Sequence, residues 1–282
     1  MSSFVNINGT LVLEEEASLP ATSRALSYGD GCFETLVSYK SKFLHFEDHF
    51  ARLQSGLKYL EMNLDLTKDL LKSEVQKLLK KNELEDEDSV VRIQCYREGS
   101  SGYFNISDRS GFIISNSPIP ERGESLNLKT VSIPTIPSIA LERKVKLSNS
   151  INYIKAAQEA KKKGGDDALM LTIDKRISET TISNIFWVKG NQVFTPSVNC
   201  DLLPGVTRSI LIALINQDSE LELIEGLFGL EDIYSAEAVF CTNSVMEMKP
   251  VSRIDDFSYK TDHSIVEKLK DDFKVYKEKL LS

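Results

Sequence analysis

The thirty residues from Glu179 to Arg208 constrain this chain more than any other stretch. They read Glu179-Thr-Thr-Ile-Ser-Asn184-Ile-Phe186, then Val193-Phe-Thr195, then Leu203-Pro-Gly205-Val-Thr-Arg208. A carboxylate and an amide lead into an apolar, strand-like run, a second short run follows, and a Pro-Gly pair opens a helix. The first N–H groups of such a helix have no partner in their own helix, so Gly205-Val206-Thr207 is an anion site in outline. Taken singly, Glu179 reads as a surface acid in a turn and Pro-Gly as an ordinary helix start. Their spacing together is what carries meaning.

A chain of 282 residues can bury a sizeable core and is expected to divide into two domains. A hydrophobic share of 41% and a charged share of 27% are those of an ordinary globular protein, and a net charge of −8 argues against a nucleic-acid binder. Cys32, Cys95, Cys200 and Cys241 form no C-x-x-C pair, and His45, His49 and His263 have no metal-ligand spacing. Free thiols in a reducing compartment, and no metal, are expected. No apolar run approaches membrane-spanning length, and the first residues lack the basic and apolar regions of a leader, so the expectation is a cytoplasmic protein without a membrane partner.

Alternation predicts strands over 4–13 and 33–46, with Tyr28-Gly-Asp-Gly31 as a turn between them. From His49 a helical period takes over through Phe50, Leu53, Leu57 and Leu60, and a second helix is expected over Thr67–Lys81 before an acidic loop at Glu83–Asp88. Strands follow at Val90–Tyr96 and from Gly111, and two prolines and a glycine make 115–123 the linker candidate. The second half reads as a helix over Asn152–Lys163 stopped by Gly164-Gly165, a buried strand from Ala168, strands near Asn184–Lys189 and Gln192–Thr195, and a helix from Thr207. A strand at Ala238–Thr242 and an amphipathic helix at Ser264–Leu281 close the chain.

The Glu179–Arg208 stretch resembles the signature of the class IV aminotransferases, enzymes of fold type IV that use pyridoxal 5'-phosphate (PLP). That family includes branched-chain and D-amino-acid aminotransferases and aminodeoxychorismate lyase. The resemblance runs from Tyr28 to Pro250-Val251. It implies an α+β, two-domain enzyme with a small N-terminal α/β domain (1–116), a linker (117–123) and a larger C-terminal pseudo-barrel domain (124–282) that binds PLP. It also implies a homodimer acting on an amino acid and a 2-oxo acid. Because the net charge is negative, an anionic cofactor must be held by a local electropositive site.

PLP needs a lysine for its aldehyde, an acid for its pyridine nitrogen and donors for its phosphate. The family pattern Lys-x-x-Asn, with an acid-Ala pair twenty-one residues after the lysine, is met by Lys146, Asn149 and Asp167-Ala168; Lys144 misses it, and the branched-chain register would put Ser148 at the lysine position. The resemblance therefore implies Lys146 as the Schiff-base lysine and proton shuttle, and Glu179 as the partner of the pyridine nitrogen. It assigns the phosphate to Arg52, to Gly205, Val206 and Thr207, and to Ser244 and Val245.

On the substrate side, Tyr28 matches an active-site tyrosine of the family, although a core tyrosine capping a turn would look the same. Arg97, ahead of Glu98-Gly-Ser-Ser-Gly-Tyr103, is the candidate carboxylate clamp, and a lone strand-end arginine is the alternative. Thr35 falls where the lyases carry a threonine beside the cofactor, as a third candidate catalytic residue. Val37 and Ser150 stand where branched-chain enzymes carry an arginine and a tyrosine, and both departures count against that substrate class. Three functions remain open: an aminotransferase, a pyruvate-eliminating 4-amino-4-deoxychorismate lyase, and a catalytically silent PLP-binding protein.

Overall fold

The computed structural model describes residues 3–99, 102–104, 106–121 and 123–282. Its contacts divide the chain into two compact units. One comprises Met1–Pro120 together with Val145–Ser150 and Leu281; the other comprises Glu121–Lys144, Ile151–Leu280 and Ser282.

The N-terminal unit is built on β1 (Phe4–Ile7), β2 (Thr10–Leu13), α1 (Arg24–Tyr28), β3 (Gly31–Tyr39), β4 (Lys42–Phe43), α2 (Phe46–Tyr59), α3 (Lys68–Lys81), β5 (Asp88–Arg97) and β6 (Ser110–Pro118). Its six strands lie in the order β2-β1-β6-β5-β3-β4, and every pairing is antiparallel. The expected 33–46 strand is broken, because Lys40 and Ser41 take positive φ (49° and 65°) and reverse the chain between β3 and β4. α2 accordingly starts at Phe46 and buries Phe46, His49, Leu53, Gly56 and Leu57. Phe50 and Leu60 are only half-buried. An apolar period could not find His49, whose burial depends on a carboxylate partner described below. β6 runs on to Pro118, paired with Ser89, so the start of the expected linker is strand; Arg122 lies outside the described residues.

β3 organises this unit. Its alternation sets Cys32, Glu34 and Leu36 towards α2, with Phe33 and Thr35 on the opposite face. β4 pairs only with Ser38 and Tyr39, which leaves the first half of β3 as a bare edge. The backbone of 146–148 fills it: Phe33 donates to Lys146 O and Ser148 donates to Gly31 O, both at 2.9 Å. An open edge of unpaired N–H and C=O groups is costly, so this pairing accounts for why 145–150 leaves its sequence neighbours and joins the N-terminal sheet.

The second unit comprises β7 (Leu126–Thr130), α4 (Ile151–Lys162), β8 (Asp167–Leu171), β9 (Ile177–Thr180), β10 (Asn184–Lys189), β11 (Gln192–Pro196), α5 (Val206–Gln217), β12 (Glu222–Gly226), α6 (Leu230–Tyr234), β13 (Ala238–Asn243), β14 (Glu247–Ile254), β15 (Phe257–Ser258) and α7 (Ser264–Leu281). Its nine-stranded sheet has the order β12-β11-β10-β13-β14-β7-β8-β9, with β15 paired to β14. The sheet curls, and the chain passes from β9 at its far end to β10 through a turn closed by Thr180 N donating to Ser183 O (2.8 Å). The curl encloses a core of Leu128, Leu169, Ile177, Ile185, Val239 and Val251. There Trp187 stacks on Phe194 and meets Phe228 edge-on. On the outside, Ala156 and Ala160 let α4 approach Ala168 and Met170 closely. Among the described residues no helix is long and apolar enough to cross a membrane.

Candidate active site

Lys146, Arg52, Thr35, Tyr28 and Arg97 belong to the N-terminal unit. The two backbone hydrogen bonds to β3 fix the main chain at Lys146, and register sets its side chain beside Phe33, with Nζ 4.6 Å from the ring centroid. Ser148 Oγ accepts a 2.6 Å hydrogen bond from Gln94 Nε2, which pins the segment a second time. Thr35 lies on the same β3 face as Phe33, half-buried.

Arg52 projects from α2 into a bidentate pair with Glu34, Nε to Oε1 at 2.7 Å and Nη2 to Oε2 at 2.9 Å. His49 Nδ1 lies 2.8 Å from Glu34 Oε2. The Glu34 side chain is 1% exposed. Burial alone would push its carboxyl up, but the charge and hydrogen bonds of Arg52 and those of His49 outweigh it and hold the group at about 2. Glu34 thus orients Arg52. Sequence reasoning missed this role, although a carboxylate between Cys32 and Leu36 on the buried face of an alternating strand signals a buried cation.

Arg97, the candidate carboxylate clamp, lies at the end of β5. It is 4% exposed and its guanidinium is committed inward: Nε to Asp30 Oδ2 (3.1 Å), Nη1 to Ser107 O (3.1 Å) and Glu61 O (3.4 Å), and Nη2 to Leu60 O. It staples the loop after β5 to the C-terminus of α2, whose carbonyls favour a cation. Arg24 Nε shares the same Asp30 oxygen at 2.7 Å, and Arg24 Nη1 donates to Gly102 O at 2.6 Å. Tyr28 is more than a turn cap: its hydroxyl accepts from Gly102 N (2.9 Å) and its ring lies 5.3 Å from that of exposed Tyr103. Ser100 and Ser101 of this loop lie outside the described residues.

Glu179, Gly205, Val206, Thr207, Ser244 and Val245 belong to the second unit. Glu179 is 4% exposed, near the end of β9, with both oxygens engaged. Oε2 accepts from Leu203 N (3.1 Å) and Asn184 Nδ2 (3.4 Å), and Oε1 accepts from Tyr153 OH (2.6 Å). Arg143 Nη2 is 3.5 Å from Oε1. Asn184 also donates to Leu203 O (2.8 Å), and a Cβ on Gly205 would fall 2.3 Å from Asn184 Oδ1. Glutamate, amide and glycine are therefore one knot, which is the physical content of their spacing. Gly205 caps α5 with no side-chain hydrogen bond, so the leading N–H groups at Val206 and Thr207 receive no side-chain cap. Their positive end of the helix dipole suits an anion. Arg208, at the end of the motif, is structural and donates to Pro196 O (2.9 Å).

Ser244 and Val245 sit in the turn between β13 and β14. Val245 N and Met246 N both donate to Asn243 Oδ1 (2.9 and 2.7 Å), which holds the turn with Ser244 leading it. Arg143 and Tyr153 were absent from the expected site, because nothing in the local pattern around either points to Glu179.

The profile of the amino-transferase class IV family matches residues 31–254, and the chain belongs to that family, with the two-domain fold of the type IV PLP enzymes. It is 31% identical over 278 residues (96% of this chain, 95% of the other) to a putative branched-chain-amino-acid aminotransferase of Methanocaldococcus jannaschii. It is 30% identical over 266 residues (90% and 88%) to an aminodeoxychorismate lyase of Bacillus subtilis. The branched-chain aminotransferase of Thermoproteus uzoniensis, solved with norvaline, superimposes with a TM-score of 0.90 at 25% identity over 97% of this chain and 94% of that one. The fold is shared as well with the Thermobaculum terrenum branched-chain aminotransferase in its PLP form, at a TM-score of 0.88 and 24% identity over 99% and 94% of the two chains.

Each unit by itself offers part of what PLP would require. They offer a primary amine on a fixed backbone, a buried hydrogen-bonded carboxylate, an oriented guanidinium and an uncapped helix start whose glycine admits no Cβ.

Proposed function

We propose that this chain is a PLP-dependent enzyme that moves an amino group between an amino acid and a 2-oxo acid. The observation that carries the reading is the Glu179–Asn184–Gly205 knot, which joins a buried acid to an uncapped helix N-terminus through one amide. When bound, PLP supplies an aldehyde for the amino group and a ring that draws electrons from the Cα bond. Lys146 Nζ would hold that aldehyde until the substrate's amino group displaces it, and the freed amine would then take up the proton from the substrate Cα and return it. Glu179 would accept the hydrogen bond of a protonated ring nitrogen. Arg52, steered by Glu34, would bind the phosphate, as would the α5 N-terminus (Gly205, Val206, Thr207) and the Ser244-Val245 turn. Tyr28, and the loop that Arg97 staples, shape the substrate side. A homodimer in the cytoplasm is part of the same proposal.

The lyase reading draws on one observation: Thr35 shares the β3 face of Phe33, over which the Lys146 amine sits. One assay separates the two. Protein loaded with PLP is given an amino-acid panel with 2-oxoglutarate and, separately, aminodeoxychorismate. Transfer of the amino group supports the aminotransferase; pyruvate release without transfer supports the lyase. No spectral change with any amino acid or with aminodeoxychorismate would leave a silent binder. Borohydride reduction followed by peptide mapping is expected to place the pyridoxyl label on Lys146, and a label elsewhere would overturn the whole scheme.

A further inference from the structure

The N-terminal unit takes six residues, Val145–Ser150, out of a stretch whose neighbours on both sides belong to the second unit. Arg143, two residues before that segment, and Tyr153, three residues after it, meet each other. Arg143 Nη2 donates to the Tyr153 hydroxyl oxygen, and the hydroxyl hydrogen goes on to Glu179 Oε1 at 2.6 Å. The guanidinium carbon is 5.2 Å from the Tyr153 ring centroid, and Nη2 itself is 3.5 Å from Glu179 Oε1. The side chains of Arg143 and Glu179 are 8% and 6% exposed. Arg143 is anchored from behind, with Nε donating to Asp201 O at 3.4 Å, and Asp201 Oδ1 in turn accepts from Ser138 N and Oγ at 2.8 and 2.7 Å.

The direction of these bonds matters. A phenol that accepts from a guanidinium becomes a stronger donor, because bonds in a chain polarise one another. A buried carboxylate without compensation favours its neutral form, and a neutral acid no longer serves as an acceptor for a ring N–H. Leu203 N and Asn184 fix only Oε2. Oε1 is met by the Tyr153 hydroxyl and faces the Arg143 guanidinium.

The geometry points to Arg143 and Tyr153 as a positioning clasp, in which a guanidinium–phenol relay holds the Glu179 carboxylate aimed while tying together the two ends of the chain that flank the Lys146 segment. It rests on the reading of Glu179 as partner of the ring nitrogen. It adds two residues that touch neither the cofactor nor the substrate in that scheme and act through the carboxylate alone.

The test uses the full chain loaded with PLP. Its readouts are the ratio of the absorbance bands of bound PLP, the Kd for PLP in equilibrium titration of the apoprotein, and thermal melting. Tyr153→Phe removes one oxygen and keeps the ring, so it preserves packing where Arg143→Met is the harsher change. Tyr153→Phe and Arg143→Met are expected to change the band ratio and to weaken PLP binding about tenfold, the effect of losing one charge-assisted hydrogen bond. Arg143→Lys is expected to fall between wild type and Arg143→Met. In a Glu179→Gln background, Tyr153→Phe is expected to add no further spectral change, since the clasp acts through that carboxylate.

A band ratio and Kd within twofold of wild type in both single variants would overturn the clasp. A lowered melting temperature with an unchanged spectrum would do the same, by reducing the pair to packing. An additive spectral change in the Glu179→Gln background would also overturn it. A Glu179→Gln spectrum identical to wild type would reject the proposed role of Glu179, and the clasp with it. That result is distinct from one in which Glu179→Gln alters the spectrum and the clasp variants do not.

Discussion

At the scale of single residues, the chemistry depends on charges that only partners make tolerable. Glu34 is the clearest case, a fully buried carboxylate held by Arg52 and His49. Its carboxyl is lowered from 4.5 to about 2 in the fold. A depressed carboxyl stabilises the fold above its unfolded value and loses that contribution as pH falls through the folded value. The wild type should therefore lose on the order of 3 kcal/mol between about pH 4.5 and about pH 2 that Glu34→Gln does not lose. Denaturant melts of both proteins across that range will measure the difference. At neutral pH, Glu34→Gln removes one side of a buried pair and should cost about 3 kcal/mol. PLP affinity should fall with it, as Arg52 is no longer oriented. An apoprotein melt and a PLP titration at pH 7 read the two effects separately.

At the scale of elements, the decisive features are a strand edge and a helix start. The helix start at α5 carries no N-cap side chain because Gly205 stands there, where an added Cβ would collide with Asn184 Oδ1 at 2.3 Å. Gly205→Ala should displace Asn184 from both Glu179 and Leu203, costing about 1–3 kcal/mol of stability by overpacking. Cofactor affinity should fall about tenfold, as the loss of a charge-assisted contact would. A Gly205→Ala protein with wild-type PLP affinity would show that the knot does not hold the anion. The strand edge is the first half of β3, which the backbone at Lys146 completes. Ser148→Pro deletes the donor to Gly31 O. It should loosen the Lys146 segment, read as faster amide exchange at Phe33, while the distant β10–β13 amides stay protected.

At the scale of the whole molecule, the chain path interleaves the two units, since the N-terminal sheet is finished by residues that follow Glu121–Lys144. A fragment of residues 1–120 should therefore be less stable than the same unit in the intact chain and prone to edge pairing. Its Phe33 amide should exchange freely, and equal protection in fragment and full chain would contradict this account. The expected linker looked separable because prolines and a glycine mark it, but no local signal announces that a later segment must return.

What the amino-acid sequence determined by itself is the set of features that close over short distances. The periods of α3, α4 and α7 are legible, because each helix writes its buried side at i, i+3 and i+4. The Glu179–Asn184–Gly205 spacing is legible as a motif through its resemblance to the class IV signature, although Leu203 and Gly205 reach Asn184 from some twenty residues away. Only the tertiary structure decided that Glu34 lies under Arg52, that His49 belongs in the interior, that Arg97 turns inward, and that Arg143 and Tyr153 converge on Glu179. Each of these is a contact between groups on different elements, stabilised by desolvation and charge pairing, and local periodicity carries no record of which distant partner makes a buried charge affordable.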